Sequence, residues 1–258
     1  MALKAFRRLV NDIDEQHHES MRTIETDLAE VHFGESDAAQ AASRRRFLQR
    51  VATGGAIAFG ATLVPIADLV PAALAQEGEG DGAAAGEPTV TGMDLTIVAF
   101  AHTVELAAAA AYQAAIDGGK LDDNASQSAT LFASHHTDHA TALLGLAGTA
   151  ATNTPNAKIL SEFAPRITGA ANQPALLSVL RDIEEGAVST YLFALGELVS
   201  PDAAGAAALV LPIEAQHSVA LSLLIEPSLD SWMAQSTTYL PTFETDDNAF
   251  DPATYAAS

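Results

Sequence analysis

Two segments lying far apart in the chain carry the same polar pattern inside otherwise apolar surroundings. In the first, Glu105 is followed seven residues later by Tyr112 and then by His136 and His139; in the second, Glu184 is followed seven later by Tyr191 and then by Glu214 and His217. Counted from the leading glutamate, the later pair falls at 31 and 34 in one half and at 30 and 33 in the other. Residues three apart on a helix project from one face, so His136 with His139, and Glu214 with His217, can each grip one ion together. A glutamate from each partner helix completes a shell of three carboxylates and three imidazoles. The chain has no cysteine, so thiolate sites, disulfides and thiol catalysis are excluded and any metal site must use His and carboxylate. The chemistry these residues suit is the holding of a divalent cation, one or two ions, of iron, manganese or zinc.

The neighbours of these residues sharpen the case. Val104, Leu106 to Ala111, Ala140 to Leu144, Ala187, Val188, Leu209 to Ile213 and Val219 to Leu224 are almost all apolar. A carboxylate in such surroundings must be paired or metal-bound, because bare burial costs several kcal/mol or shifts its pKa. Three carboxylates converging without a cation would cost more still. His135 and Glu185 sit one residue from a ligand position, which turns them by ~100° around the helix. His135 is therefore expected behind the ligands or on the surface, and Glu185 on the surface. Asp138 either orients an imidazole or occupies an exposed turn of helix. Tyr112 and Tyr191 stand on the stripe of their glutamates, since seven residues advance ~10.5 Å with little rotation. Each can donate a hydrogen bond to a carboxylate of the opposite helix, serve redox chemistry, or pack in the core with a satisfied hydroxyl.

Four long helices must position these side chains. Alanine-rich stretches with few β-branched runs favour helix over sheet, and an all-α protein is expected. The first helix runs from about Met93 to Asp117 and stops at Gly118-Gly119. The second spans Asn124 to Gly148 with Asn or Ser as its cap, and a short helix over Asn156 to Ile167 follows Pro155. The third covers Pro174 to Val199 and the fourth Pro201 to Glu226, ended by Pro227. Pro212 removes a backbone donor two residues before Glu214 and is expected to kink the fourth. The tail, residues 227 to 258, holds Trp232, Tyr239, Phe243, Phe250 and Tyr255, which are expected to pack across the bundle.

The formal charge is −21. Residues 76 to 258 contain four basic residues (Lys120, Lys158, Arg166 and Arg181) against twenty-three acidic ones. Nucleic acid is a poor partner for that surface. The same field concentrates cations, although solubility or a saline habitat accounts for acidity equally well.

Ahead of the bundle, Ser43-Arg44-Arg45-Arg46-Phe47-Leu48-Gln49 precedes an apolar stretch from Val51 to Leu74, and Ala73-Leu74-Ala75 supplies small residues where a signal peptidase reads. This resembles a twin-arginine export signal, with Arg44, Arg45, Phe47 and Leu48 as its recognisable members. It implies the twin-arginine export machinery as partner, cleavage after Ala75 and an extracytoplasmic location: periplasm, cell wall or secreted. Asp68, Pro65 and Pro71 interrupt the apolar stretch, so no stable membrane span is expected after cleavage, and an uncleaved signal would leave a membrane anchor. Residues 1 to 42 read as one amphipathic helix through Leu3, Phe6, Val10, Ile13, Ile24, Leu28 and Val31. His17 and His18 within it are expected on a solvated face. The expected organisation is thus a leader over 1–75, a flexible acidic and glycine-rich linker over 76–92, the bundle over 93–226 and the tail over 227–258.

The paired pattern resembles the ferritin-like superfamily, in which two helices give one Glu each and two give Glu-x-x-His. It is similar to bacterial exported ferritin-like domain proteins, of the rubrerythrin and ferritin type. The resemblance rests on His135-His136-Thr137-Asp138-His139, on Glu184 to Tyr191, on Ile213-Glu214-Ala215-Gln216-His217 and on Tyr239 to Thr245. It implies an up-down four-helix bundle with a short helix in the central connection. It also implies metal ligation by Glu105, His139, Glu184, Glu214 and His217, with His136 where di-iron relatives place a glutamate. That exchange removes one bridging carboxylate and leaves a mononuclear or an asymmetric dinuclear site open. Single bundles of this kind act as monomers or dimers, so a homodimer is admissible and a cage is not implied. Three functions stay open: metal binding, with iron first and a role in metal handling or oxidative-stress protection; a metal-free bundle with a structural or protective role; and a di-metal oxidase or peroxidase. No catalytic residue is assigned.

Overall fold

The structure is a computed structural model that describes residues 2–30, 88–226 and 250. The expected export motif and cleavage site, residues 76–87 of the expected linker, and all tail aromatics except Phe250 lie outside the described residues; of the rest of that linker, Val90 is buried against the bundle and Thr89 N–H donates to Leu146 O at 3.0 Å. Among the described residues the chain is helical: α1 is Ala2–Glu30, α2 Gly92–Asp117, α3 Asp123–Ala147, α4 Ala157–Gly169, α5 Gln173–Glu197 and α6 Pro201–Ile225.

Local chemistry sets the boundaries. Glycine at 119 adopts φ +62°, a left-handed conformation that suits the sharp exit from α2. The cap of α3 is Asp122, two positions before Asn124 and four before Ser126, where an Asn or Ser cap would place it. Its carboxylate accepts from the backbone N–H of Asn124 at 3.0 Å and of Ala125 at 2.9 Å, and a charged acceptor suits the positive end of a helix. Asn156, Asn172 and Ser200 cap α4, α5 and α6 in the same manner. Pro212 lies inside α6, which continues through it to Ile225.

α2 pairs with α3 and α5 with α6 as two antiparallel hairpins. They join through contacts of α2 with α5 and of α3 with α6. α4 lies over the α2–α5 side, burying Ile159, Phe163 and Ile167. Phe250 joins it there, with its ring edge-on to Phe163 and its backbone N–H donating to Thr190 at 2.7 Å. The opposite side, the α3–α6 seam, is covered by α1, whose Ile13 is fully buried. α2 and α6 are long and apolar enough to cross a membrane by length and composition alone. Here both line the bundle interior.

The interior has three layers. One apolar cluster gathers Phe132, Leu176, Leu180, Ile183 and Leu221. A second gathers Val98, Leu143, Leu198 and Val210 towards the other end. Between them lies a polar layer formed by the residues whose spacing repeats in the two halves.

Candidate metal centre

Glu105 comes from α2, His136 and His139 from α3, Glu184 from α5, and Glu214 and His217 from α6. All six are at most 1% exposed. Each long helix buries its polar residues because the apolar residues around them must face the same core, so the 3.6-residue period carries them inward.

Two groups of four close up within this layer. Glu105, His136, His139 and Glu214 form one, and His136, Glu184, Glu214 and His217 the other; within each, one donor atom per residue lies within 4.8 Å of all the others. His136 and Glu214 belong to both. His136 Nδ1 is 2.7 Å from Glu105 Oε2, and its Nε2 is 3.2 Å from Glu184 Oε1. His139 Nδ1 stands 2.7 Å from Glu214 Oε1, while His217 Nδ1 stands 3.1 Å from Glu214 Oε2 and 3.4 Å from Glu184 Oε2.

The tyrosines cross-link the halves. The Tyr112 hydroxyl donates to Glu184 Oε1, and the Tyr191 hydroxyl donates to Glu105 Oε1. A continuous polar chain therefore crosses the bundle from Tyr191 through Glu105, His136 and Glu184 to Tyr112. Burial raises both phenols well above their usual range, and the carboxylate each one faces raises it further. They stay protonated and act as donors.

The charges balance locally. Burial tends to neutralise each group, but the opposite charges prevail. Burial lowers His139, yet the charge of Glu214 and contact with Glu105 raise it to about 9. His136 and His217 are likewise raised against burial, chiefly by Glu214 and Glu184 for the first and by Glu184 for the second. Burial pushes Glu105 up, but His136 and His139 bring it down to about 2. Glu184 is held well below the carboxylate range by His136 and His217, again against burial.

Both ring nitrogens of His139, together with Glu184 Oε2 and Glu214 Oε1, are buried with no hydrogen-bond partner. Buried polar atoms are nearly always satisfied, and an orphan costs about 1–3 kcal/mol. Here His139 Nδ1 and Glu214 Oε1 approach within 2.7 Å without the angles of a hydrogen bond, so the two face shared space and neither satisfies the other. A nitrogen- and oxygen-only donor set with converging orphans fits a divalent cation of the iron, manganese or zinc type.

Behind the six residues, His135 takes the buried one of its two expected places, whereas His17 departs from expectation. His135 is 1% exposed; its Nδ1 lies 3.0 Å from His217 Nε2 and its Nε2 3.2 Å from Asp14 Oδ1 on α1. His17, expected on a solvated face, is also 1% exposed, stacks on His135 at 3.9 Å between ring centres and stands 4.9 Å from the His139 ring. Burial lowers His17 to about 4, which keeps it neutral. The reason is the docking of α1: the seam that helical geometry turns away from the bundle axis is covered rather than solvated. His18 remains exposed. Asp138 is exposed and accepts from His17 Nε2 at 3.1 Å, so it orients an imidazole, though not one of the six. Glu185 is half-buried and paired with Arg181 at 3.4 Å, away from the centre. Sequence reasoning had no signal for Asp14, because nothing in the spacing of α1 says which helices it meets.

A family model described as a ferritin-like domain matches residues 93–227, just over half of the chain. No curated protein and no solved structure matches.

Proposed function

The chain belongs to the ferritin-like domain family, and on that premise we propose that it is an exported protein holding iron, manganese or zinc inside its bundle, for metal handling or protection against oxidation. One observation carries the reading: six carboxylate and imidazole side chains occupy a single buried layer, with orphaned donor atoms converging inside it. Glu105, His139, Glu184, Glu214 and His217 would hold the metal, with His136 as a sixth donor or as a bridge between Glu105 and Glu184. A bound cation would supply Lewis acidity or, for iron and manganese, redox change. Glu214 contributes to both four-residue groups and is the natural shared ligand. Tyr112 and Tyr191 fix the two glutamates in orientation, and the apolar layers above and below exclude water.

The test is the metal content of full-length protein purified without added metal, alongside Glu214→Ala and His139→Ala. Stoichiometric metal in the native chain and its loss in each variant support the reading. A metal-free native chain, equally stable with and without chelator, sinks it.

The polar chain from Tyr191 to Tyr112 favours one other reading, a bundle whose centre is a structural hydrogen-bond network. That network satisfies Glu105 and His136 without any ion. Export rests on the leader residues Arg44, Arg45, Phe47 and Leu48, and N-terminal sequencing of protein recovered outside the cytoplasm tests it, with Gln76 as the expected first residue.

A further inference from the structure

α1 lies outside the segment that the family model matches, yet it reaches the centre. Its Asp14 accepts from His135 Nε2 at 3.2 Å, and His135 Nδ1 meets His217 Nε2 at 3.0 Å. The direction of these bonds is fixed by what each atom can do. A carboxylate only accepts, so the proton of His135 sits on Nε2 and its Nδ1 must accept in turn. His217 then donates from Nε2, and its Nδ1, 3.1 Å from Glu214 and 3.4 Å from Glu184, donates to the carboxylates and is the nitrogen whose proton a cation would displace. The chain therefore holds a proton on Nε2, so that deprotonation of His217 would free the Nδ1 lone pair facing the cluster. A ligating imidazole needs this from a partner on its other nitrogen.

From this geometry we infer that Asp14 is a positioning residue for the metal centre: acting through His135, it sets the tautomer and ring orientation of His217. The inference rests on the metal-binding reading above. Packing supports it. Phe132 stacks on the His217 ring from one side at 4.0 Å between centres, His17 stacks on His135, and Ile13 buries α1 beside them. The ring of His217 is thus held by an apolar wall, by Glu214 and Glu184 at Nδ1 and by the chain from Asp14 at Nε2. Asp14 and His17 precede the arginines of the expected export signal, so this positioning belongs to the uncleaved chain, and cleavage after Ala75 would strip both from the centre.

The test loads the full chain with Co(II), whose visible absorption reports ligand geometry, and follows both the dissociation constant and the release rate into a chelator. Asp14→Ala is expected to weaken Co(II) binding about 10- to 100-fold, the usual effect of removing a carboxylate behind a ligating histidine, and to shift the visible bands. Asp14→Asn keeps an oxygen acceptor for the same N–H and is expected to restore most of the native spectrum. Gln16→Ala removes a different α1 contact, the 2.7 Å bond from Gln216, and is expected to leave the spectrum unchanged. If Asp14→Ala matches the native chain in affinity and spectrum, or if Gln16→Ala reproduces its loss, the inference is overturned and Asp14 merely helps α1 to dock. A native chain that binds no Co(II) would instead remove the metal-binding reading beneath it.

Discussion

The hydroxyl of Tyr112 on α2 donates to Glu184 on α5. The reciprocal bond runs from Tyr191 on α5 to Glu105 on α2, so each half of the repeat holds the glutamate of the other half in place. Tyr112→Phe removes a donor from a fully buried carboxylate and is expected to destabilise the chain by about 1–3 kcal/mol. Tyr191→Phe is expected to do the same. Because His136 links the two glutamates, the double variant should depart from additivity by about 0.5 kcal/mol or more. Urea unfolding of the four proteins measures this, and strict additivity would show that the polar chain does not act as a unit.

The stability of metal-free protein should peak near pH 6.5. His139, raised from 6.5 to about 9, binds a proton more tightly folded than unfolded. Its contribution is complete below 6.5 and disappears as pH climbs through 9. His17, lowered from 6.5 to about 4, resists protonation, so stability falls as pH drops below 6.5. Glu105, lowered from 4.5 to about 2, adds a further loss as pH falls from 4.5 through 2. Thermal unfolding with chelator across pH 4 to 9, a span of ~5 units around these values, checks the shape; a flat profile would contradict the charged cluster.

Metal binding should expel protons. His136, His139 and His217 are all raised above their ordinary value, and an imidazole must be neutral to ligate, so each ion is expected to displace roughly one to three protons at neutral pH. Affinity should therefore climb with pH until about 9, where His139 is already deprotonated. Calorimetry in buffers of different ionisation enthalpy counts the protons directly.

Gly186→Ala should destabilise the protein. In a helix this exchange ordinarily stabilises by about 0.5–1 kcal/mol. A Cβ here would meet Phe250 Cζ at 2.5 Å, and the ring is itself pinned by Phe163 and by its own backbone bond to Thr190. Displacing it should cost about 1–3 kcal/mol, the range for an overpacked core. A rise in melting temperature would show that Phe250 moves aside freely.

The helices of the bundle, their order and the six polar residues of the central layer are legible in the sequence, because apolar period and repeated spacing both act within single helices or hairpins. Side chains three apart share a face wherever the helix goes, so Glu214 with His217 and His136 with His139 follow from spacing alone. The same logic turns His135 off the bundle axis, correctly, but says nothing about what covers that side.

Only tertiary packing decides that α1 lies on the α3–α6 seam, burying His17 and bringing Asp14 to His135 across a separation of 121 residues. It also decides which glutamate each tyrosine serves, and that Phe250 fills the notch over Gly186. Helical periodicity fixes the direction of a side chain relative to its own axis, whereas the partner it meets depends on how separate helices dock. That docking is governed by the summed burial of whole faces, which no local pattern encodes.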